Sequence, residues 1–144
     1  MGTDVIERYV TEDGKLYSKR VIISSWKIPS FLRVFVNDPL AYAVEYCTID
    51  PKAKTLISRS QNLNVKWFIV MDEKYNFYSD DKDSTAQLHH EARIKSNSHV
   101  SKYIDHKAEN YVVSVLTDAA RKGRLAMESV IEVVEEEMRA AEDK

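Results

Sequence analysis

The C-terminal third of the chain shows the clearest hydrophobic pattern, and that pattern is helical. Between Ser101 and Ala141 the sequence has no proline and one glycine, Gly123. Apolar residues recur there every three or four positions, which is the spacing of one face of an α-helix. A helix of about 40 residues would be about 60 Å long, and its apolar stripe needs a broad apolar surface to pack on. The stripe consists of Ile104, Ala108, Tyr111, Val112, Val115, Ala119, Ala126, Met127, Val130, Val134 and Met138.

The part of the chain before this helix shows mostly β-type patterns, separated by turn-forming residues. Glu12-Asp13-Gly14, Asp50-Pro51 and the polar stretch 79–84 mark three of the turns. The predicted strands cover residues 5–10, 15–25, 42–49, 55–63, 65–78 and 85–94.

The order of these elements predicts the fold class. About six strands followed by one long helix are typical of an α+β fold, in which the helix packs across a curved antiparallel sheet. The stretch Ser96-Asn97-Ser98 offers several possible N-caps for the helix. A helix lying on the concave face of such a sheet often encloses a cavity that suits an apolar ligand.

The segment 26–39 fits neither the strand pattern nor the long-helix pattern. It is apolar, it contains Pro29 and ends at Pro39, and both a short helix and a mobile loop are compatible with it. Together with Lys27 and Arg33, its apolar residues could meet a membrane interface, close over a ligand or cap the core. Those apolar residues are Ile28, Phe31, Leu32, Val34, Phe35 and Val36.

Composition narrows the function classes. The length of 144 residues suits one domain, and the net charge of -2 gives no general attraction to nucleic acid. The single cysteine, Cys47, excludes an internal disulfide and is best explained as a small core residue. Phosphate-binding loops, dinucleotide-binding motifs and nucleophile motifs are all missing from the sequence, so neither an enzyme nor a cofactor is predicted.

Two groups of polar residues are candidates for a metal site or an anion site. His89 and His90 are adjacent on a predicted strand and therefore point to opposite faces, so no metal site is predicted there. Lys122 lies on or beside the apolar stripe, where it must extend to solvent, form an ion pair or meet a bound anion. Gly123 lowers helix stability by about 1 kcal/mol relative to alanine, and we therefore expect another part of the backbone to approach it closely.

Taken together and in order, several motifs resemble the PRELI-like/Slowmo family of mitochondrial intermembrane-space lipid transfer proteins. The matches extend from the first hairpin to the centre of the C-terminal helix. They are Asp13-Gly14-Lys15-Leu16, Arg20, Trp26-Lys27-Ile28-Pro29, Glu45, Ile49-Asp50-Pro51, Thr55-Leu56, Asn62, Glu73, Lys122-Gly123-Arg124, Ala126-Met127 and Val130-Ile131.

The resemblance implies a fold and a function. The implied fold is a seven-stranded sheet closed by a long helix, similar to phosphatidylinositol-transfer and START-like domains. Residues 1–144 would form a single PRELI/MSF1-like domain that lacks the family's first strand and helix. The implied function is extraction of phosphatidic acid or phosphatidylserine and its transfer between mitochondrial membranes. The implied partners are the phospholipid, a transient membrane surface and a small helical protein with twin cysteine motifs.

The resemblance also implies site residues. Lys122 matches a basic pocket residue that meets the lipid phosphate, Arg20 matches a recurrent strand arginine, and Asn62 matches a recurrent asparagine. Two positions differ from the family pattern, since Ser24 replaces a lysine of some phosphatidic-acid carriers and Ala119 replaces a polar asparagine. The alternative function is an interaction module that binds the twin-cysteine partner without lipid. The lid loop over the pocket would contain Ile28, Pro29, Phe31, Leu32 and Phe35.

Overall fold

The strands and the helix form where the apolar periodicities predict them, and together they confirm the α+β fold. The computed structural model describes residues 2–79, 86–97 and 101–142. Six strands make one curved, open antiparallel sheet in which each strand pairs with the next along the chain. The strands are β1 (Gly2–Val10), β2 (Leu16–Ser25), β3 (Leu40–Asp50), β4 (Thr55–Asn62), β5 (Ile69–Ser79) and β6 (Ala86–Ser96), and they are followed by helix α1 (Lys102–Glu142).

The fifth strand is shorter than predicted. It begins at Ile69 rather than at residue 65, because the chain turns sharply over residues 63–68. Val65 has φ of 54°, and its carbonyl accepts hydrogen bonds from the N–H groups of Phe68 and Ile69. A β-branched residue rarely adopts this left-handed conformation, so surrounding contacts must hold the turn in place. We call residues 63–68 the β4–β5 loop.

The start of the helix also differs from the prediction. The cap is Ser101, whose hydroxyl accepts a hydrogen bond from the Ile104 N–H at 3.2 Å. Ser96 is instead the last residue of β6, and it ties the strand to the helix: its N–H donates to Glu109 Oε1 at 2.8 Å and its hydroxyl to Asp105 Oδ1 at 2.7 Å. Ser98 and residues 80–84 of the predicted polar turn lie outside the described residues.

The segment 26–39 is a short 3₁₀ helix, Ser30–Leu32, followed by turns, and it contributes to the main core. Leu32 and Val36 are buried against the first half of α1 and the start of β5. The six buried residues of this cluster are Leu32, Val36, Phe68, Ile69, Ala108 and Val112.

The expectation of one buried stripe along the whole helix is correct only for its first half. From residue 121 to 141 every helical residue is exposed, including Met127, Val130, Val134 and Met138. The reason is length: a helix of 41 residues extends about 60 Å, whereas a strand of 11 residues spans only about 36 Å. Within the described chain, no helix has both the length and the apolarity needed to cross a membrane.

Candidate functional site

The candidate site is a cavity between the concave face of the sheet and the middle of α1. Its volume is about 310 Å³, at the lower end of the range of about 300–1,000 Å³ that is usual for small-molecule sites. Five strands and the helix contribute to its walls, so it depends on the whole sheet rather than on one motif. It is lined by Arg20, Glu45, Cys47, Leu56, Ser58, Tyr75, Phe77, Leu88, His90, Ala119, Ala120, Gly123, Arg124 and Met127.

Strand register places a charged pair on the floor of this cavity. Arg20 of β2 lies directly opposite Glu45 of β3, and paired residues of an antiparallel sheet point to the same face. The two side chains form an ion pair, and the Ser58 hydroxyl donates to Glu45 Oε1 at 2.6 Å. Only 12% of the Glu45 side chain is exposed, against 37% for Arg20. The guanidinium is therefore the accessible member of the pair.

A second polar group lies beside the first, on β5 and β6. The Tyr75 hydroxyl donates to Glu73 Oε2 at 2.8 Å, and His90 Nε2 lies 3.2 Å from the same oxygen. The rings of Tyr75 and His90 stack with centroids 4.1 Å apart. Burial, reinforced by the nearby Glu73 carboxylate, raises the pKa of Tyr75, so the phenol stays a neutral hydrogen-bond donor. His89 is exposed while His90 is half-buried, as expected for neighbours on a strand.

The remainder of the floor is apolar. Leu56, Phe77 and Leu88 are cross-strand neighbours, with Phe77 paired to both of the others. Cys47 is buried and lines the cavity, and burial raises the pKa of its thiol. The site thus has an apolar part and a charged part side by side. In the ranges that the structure describes, no group of three or more histidine, cysteine or acidic side chains could hold a metal ion.

The helix faces the cavity with small residues. Ala119, Ala120 and Gly123 recur at the spacing of one helix face, with Arg124 and Met127 beside them. The expected close approach at Gly123 is wrong: a Cβ built there would have no atom within 4 Å. The missing side chain leaves space instead, and that space belongs to the cavity. Arg124 supplies a cation from the helix, and no carboxylate among the described residues pairs with it.

Lys122 lies outside this arrangement. Its side chain is 68% exposed, and Nζ is 2.7 Å from Asp118 Oδ2, one turn earlier in the helix. Lys122 and Arg121 together hold the pKa of Asp118 below its usual range. Lys122 is not among the lining residues, so the structure does not bring it together with Arg20. Its predicted contact with the lipid phosphate stays a prediction.

Asn62 lies at a different place, where it lines a smaller cavity of about 120 Å³ together with Trp26 and residues of the first half of α1. Its side chain is buried, and its amide donates to the carbonyls of Asn64 and Ile69, both at 2.9 Å. Its carbonyl oxygen accepts from the Met71 N–H at 2.9 Å. These bonds hold the β4–β5 loop in its unusual conformation. The predicted lipid contact of Asn62 is not tested by them.

Most of the predicted lid residues pack in or around the main core. Leu32 is completely buried, and Ile28, Phe31 and Phe35 pack around the same core, which matches the core-capping role among the alternatives. Pro29 immediately precedes the 3₁₀ helix. In this conformation the segment packs on the first half of α1 and the start of β5. Movement of the segment remains a prediction.

Sequence reasoning missed the polar group of Glu73, Tyr75 and His90. His90 alternates with Leu88 and Ala92 on one strand face, and that alternation was the available signal. It could not reveal the partner, because the contact depends on the register between β5 and β6. Arg124 was visible in the basic cluster, but its direction depends on the rotation of the helix.

Comparison with known proteins identifies a matching family and several relatives. A family model described as "PRELI-like family" matches residues 1–137. The Saccharomyces cerevisiae protein "UPS1, mitochondrial" is 25% identical over 137 residues, covering 94% of this chain and 77% of that protein. "UPS2, mitochondrial" of the same yeast is 24% identical over 140 residues, covering 94% of this chain and 60% of the relative. An "ups1 homolog" of Schizosaccharomyces pombe is 33% identical over 64 residues, 44% of this chain and 37% of that protein.

Proposed function

Since this chain belongs to the PRELI-like family, we propose that it is a phospholipid carrier of mitochondrial membranes rather than an enzyme. Residues 1–144 would act as one lipid-transfer domain. Two of its relatives are named as mitochondrial proteins, and the family resemblance supports the intermembrane space as the location of the proposed transfer. The observation that carries the proposal is the cavity between α1 and the sheet, which combines apolar walls with arginines.

The cavity chemistry suits an anionic lipid. Each acyl methylene moved from water into an apolar space contributes about 0.8 kcal/mol, and Leu56, Phe77 and Leu88 supply such a surface. A phosphate brought into the same space needs cations, because an unpaired buried charge is very costly. Arg20 and Arg124 line the cavity from opposite walls and would supply these cations. Guanidinium groups bind phosphate oxygens in a bidentate manner.

The role of Lys122 can be separated from that of Arg124. For Lys122 to reach a lipid phosphate it must leave Asp118, whereas Arg124 already lines the cavity. We expect Arg124→Glu to abolish transfer of anionic lipid and Lys122→Glu to weaken it. Full activity of the Lys122→Glu variant would remove Lys122 from the mechanism, and full activity of the Arg124→Glu variant would overturn the cavity assignment.

Phosphatidic acid and phosphatidylserine are the proposed cargo, since both carry the phosphate that the arginines would bind. The segment 26–39 would move aside at the membrane to admit the acyl chains and would repack in water. The test is transfer between donor and acceptor vesicles with a series of head groups. Transfer of anionic but not of purely zwitterionic lipid supports the proposal, and absence of transfer for all of them contradicts it.

A second candidate function is an interaction module without cargo, and the exposed apolar residues of α1 favour it. Met127, Val130, Val134 and Met138 form an uncovered stripe on which a small helical protein with twin cysteine motifs could pack. Native mass spectrometry of the purified protein separates the two functions. Co-purified phospholipid supports the carrier, whereas a protein free of lipid that still binds such a partner supports the module.

A further inference from the structure

We propose that a basic, aromatic surface beside the segment 26–39 docks this protein onto an anionic bilayer. The proposal rests on the proposed carrier function and names the surface that meets the membrane. We define the docking surface by six exposed residues from three elements. They are Arg33 and Val34 of the segment 26–39, Lys66 and Trp67 of the β4–β5 loop, and Tyr103 and Lys107 of α1.

Two phenylalanines of the segment 26–39 join these three elements into one surface. Lys107 Nζ lies 4.6 Å from the ring centroid of Phe31 and 5.9 Å from that of Tyr103. Phe35 stacks on Phe68 at 5.7 Å, and Phe68 contacts Trp67 at 5.6 Å. The exposed tyrosine and the exposed tryptophan are therefore both connected to the segment, one through Lys107 and Phe31 and the other through Phe68 and Phe35.

The exposed apolar side chains of this surface are of the kind found at membrane interfaces. Val34 is 84% exposed, Tyr103 75% and Trp67 57%. Tryptophan and tyrosine favour the boundary between lipid headgroups and acyl chains, because one part of each ring is apolar and another part can form hydrogen bonds. Trp67, Tyr103 and the apolar Val34 therefore form a surface suited to a membrane interface.

The charges of the surface complement an anionic bilayer. Arg33, Lys66 and Lys107 are exposed, and none of them has a carboxylate partner in the part of the chain that the structure describes. The far end of α1 instead carries the acidic run Glu135, Glu136 and Glu137. An anionic membrane would attract the first set and repel the second, so the charge distribution orients the molecule.

The loop that presents Trp67 is anchored by side-chain hydrogen bonds. The Asn64 side chain accepts from the Tyr42 N–H at 3.0 Å and donates to the Leu40 carbonyl at 2.8 Å, which anchors the loop to β3. Asn62 bonds to the loop from the other side. A preorganised tryptophan loses little conformational freedom on binding. Asn62 would therefore support membrane contact by anchoring the loop, even though Asn62 lies outside the main cavity.

The first experiment measures co-sedimentation with phosphatidylcholine vesicles that either contain or lack phosphatidylserine. Binding is expected only to the vesicles with phosphatidylserine. Neutralising one lysine near an anionic surface weakens binding about 5-fold, so Lys66→Gln with Lys107→Gln should weaken it about 25-fold. The matched control is Lys52→Gln in the β3–β4 turn, at the other end of the 11-residue strand β3 and thus about 30 Å away.

Three results would overturn the electrostatic part of the proposal. They are equal binding to both kinds of vesicle, an undiminished affinity of the double variant, and an equal loss for Lys52→Gln, which would indicate a mere effect of net charge. A protein partner, rather than lipid, would be indicated if the double variant lost binding to a mitochondrial protein while its vesicle binding stayed intact.

The second experiment tests Trp67 directly. The chain has two tryptophans, and Trp26 packs against the core. Vesicles that carry brominated acyl chains should quench the fluorescence of the natural protein, and Trp67→Phe should remove most of this quenching. Unchanged quenching in the variant would overturn the assignment. Native mass spectrometry of all variants reports bound lipid separately, so loss of docking with cargo retained is distinguishable from failure of the carrier function.

Discussion

Gly123 provides the sharpest test of the cavity, because one substitution there should affect stability and lipid binding in different directions. A Cβ at this position meets no atom within 4 Å, yet the residue lines the cavity. Gly123→Ala should therefore keep the space open, whereas Gly123→Phe should place a ring into it.

The expected magnitudes follow from helix propensity and from the volume of the site. Alanine in place of glycine should raise the free energy of unfolding by about 1 kcal/mol, which corresponds to an increase in Tm of about 3 °C for a domain of this size. Phenylalanine has a weaker helix propensity, so the gain falls to about 0.5 kcal/mol. A ring that displaces about three acyl methylenes from the 310 Å³ cavity should weaken lipid binding by about 2 kcal/mol, or about 30-fold.

The assay combines thermal unfolding, followed by circular dichroism, with quantification of phospholipid extracted from the purified variants. Ala126→Phe is the matched control, because it adds the same ring in the same helix at an exposed position outside the cavity. We expect Gly123→Ala to be more stable and loaded, Gly123→Phe stable but empty, and Ala126→Phe loaded. Destabilisation by Gly123→Ala would show that a neighbour does approach this glycine. A fully loaded Gly123→Phe protein would show that cargo is held elsewhere.

Three further predictions concern the core, the charged pair and the thiol. Leu32→Ala should lower the free energy of unfolding by about 3 kcal/mol because the side chain is fully buried. The control Val34→Ala, at an exposed position, should change it by less than about 0.5 kcal/mol. Similar values for the two variants in urea unfolding would contradict the placement of the segment 26–39 in the core. Arg20→Met should lower the free energy of unfolding by about 1–3 kcal/mol, because it leaves the carboxylate of Glu45 without its cation. Adding Glu45→Leu should restore part of this loss. Strictly additive effects in a double-mutant cycle would exclude coupling between the two residues. Because burial raises the pKa of the Cys47 thiol, Cys47 should react slowly with thiol reagents near neutral pH and faster as the pH rises. Bound lipid should slow the reaction further, because Cys47 lines the cavity. Equal rates in loaded and empty protein would place the lipid away from this wall.

Local patterns in the sequence were enough to predict the strands and the helix, and the order of its motifs indicated the family. Alternation of apolar and polar residues reported the six strands, and the 3.6-residue period reported α1, because both periodicities follow from local backbone geometry. The errors in secondary structure were confined to element ends. The N-cap is Ser101 rather than a residue of the stretch Ser96-Asn97-Ser98, and β5 starts after the turn at Val65. At such ends individual hydrogen bonds, such as those of Ser96 to Asp105 and Glu109, set the boundary, and the apolar periodicity does not report them.

Which side chains share the site depends on how the elements pack together, and no local pattern reports that. Lys122 and Arg124 are two residues apart in one basic cluster, yet the first pairs with Asp118 in solvent and the second lines the cavity. The contact of His90 with Glu73 likewise exists only through the pairing of β5 with β6. A periodicity states that a helix or strand has an apolar face. The rotation of a helix and the register of a strand against the other elements are set by the packing of the whole core. In that core, residues distant along the chain, such as Leu32 and Val112, come together.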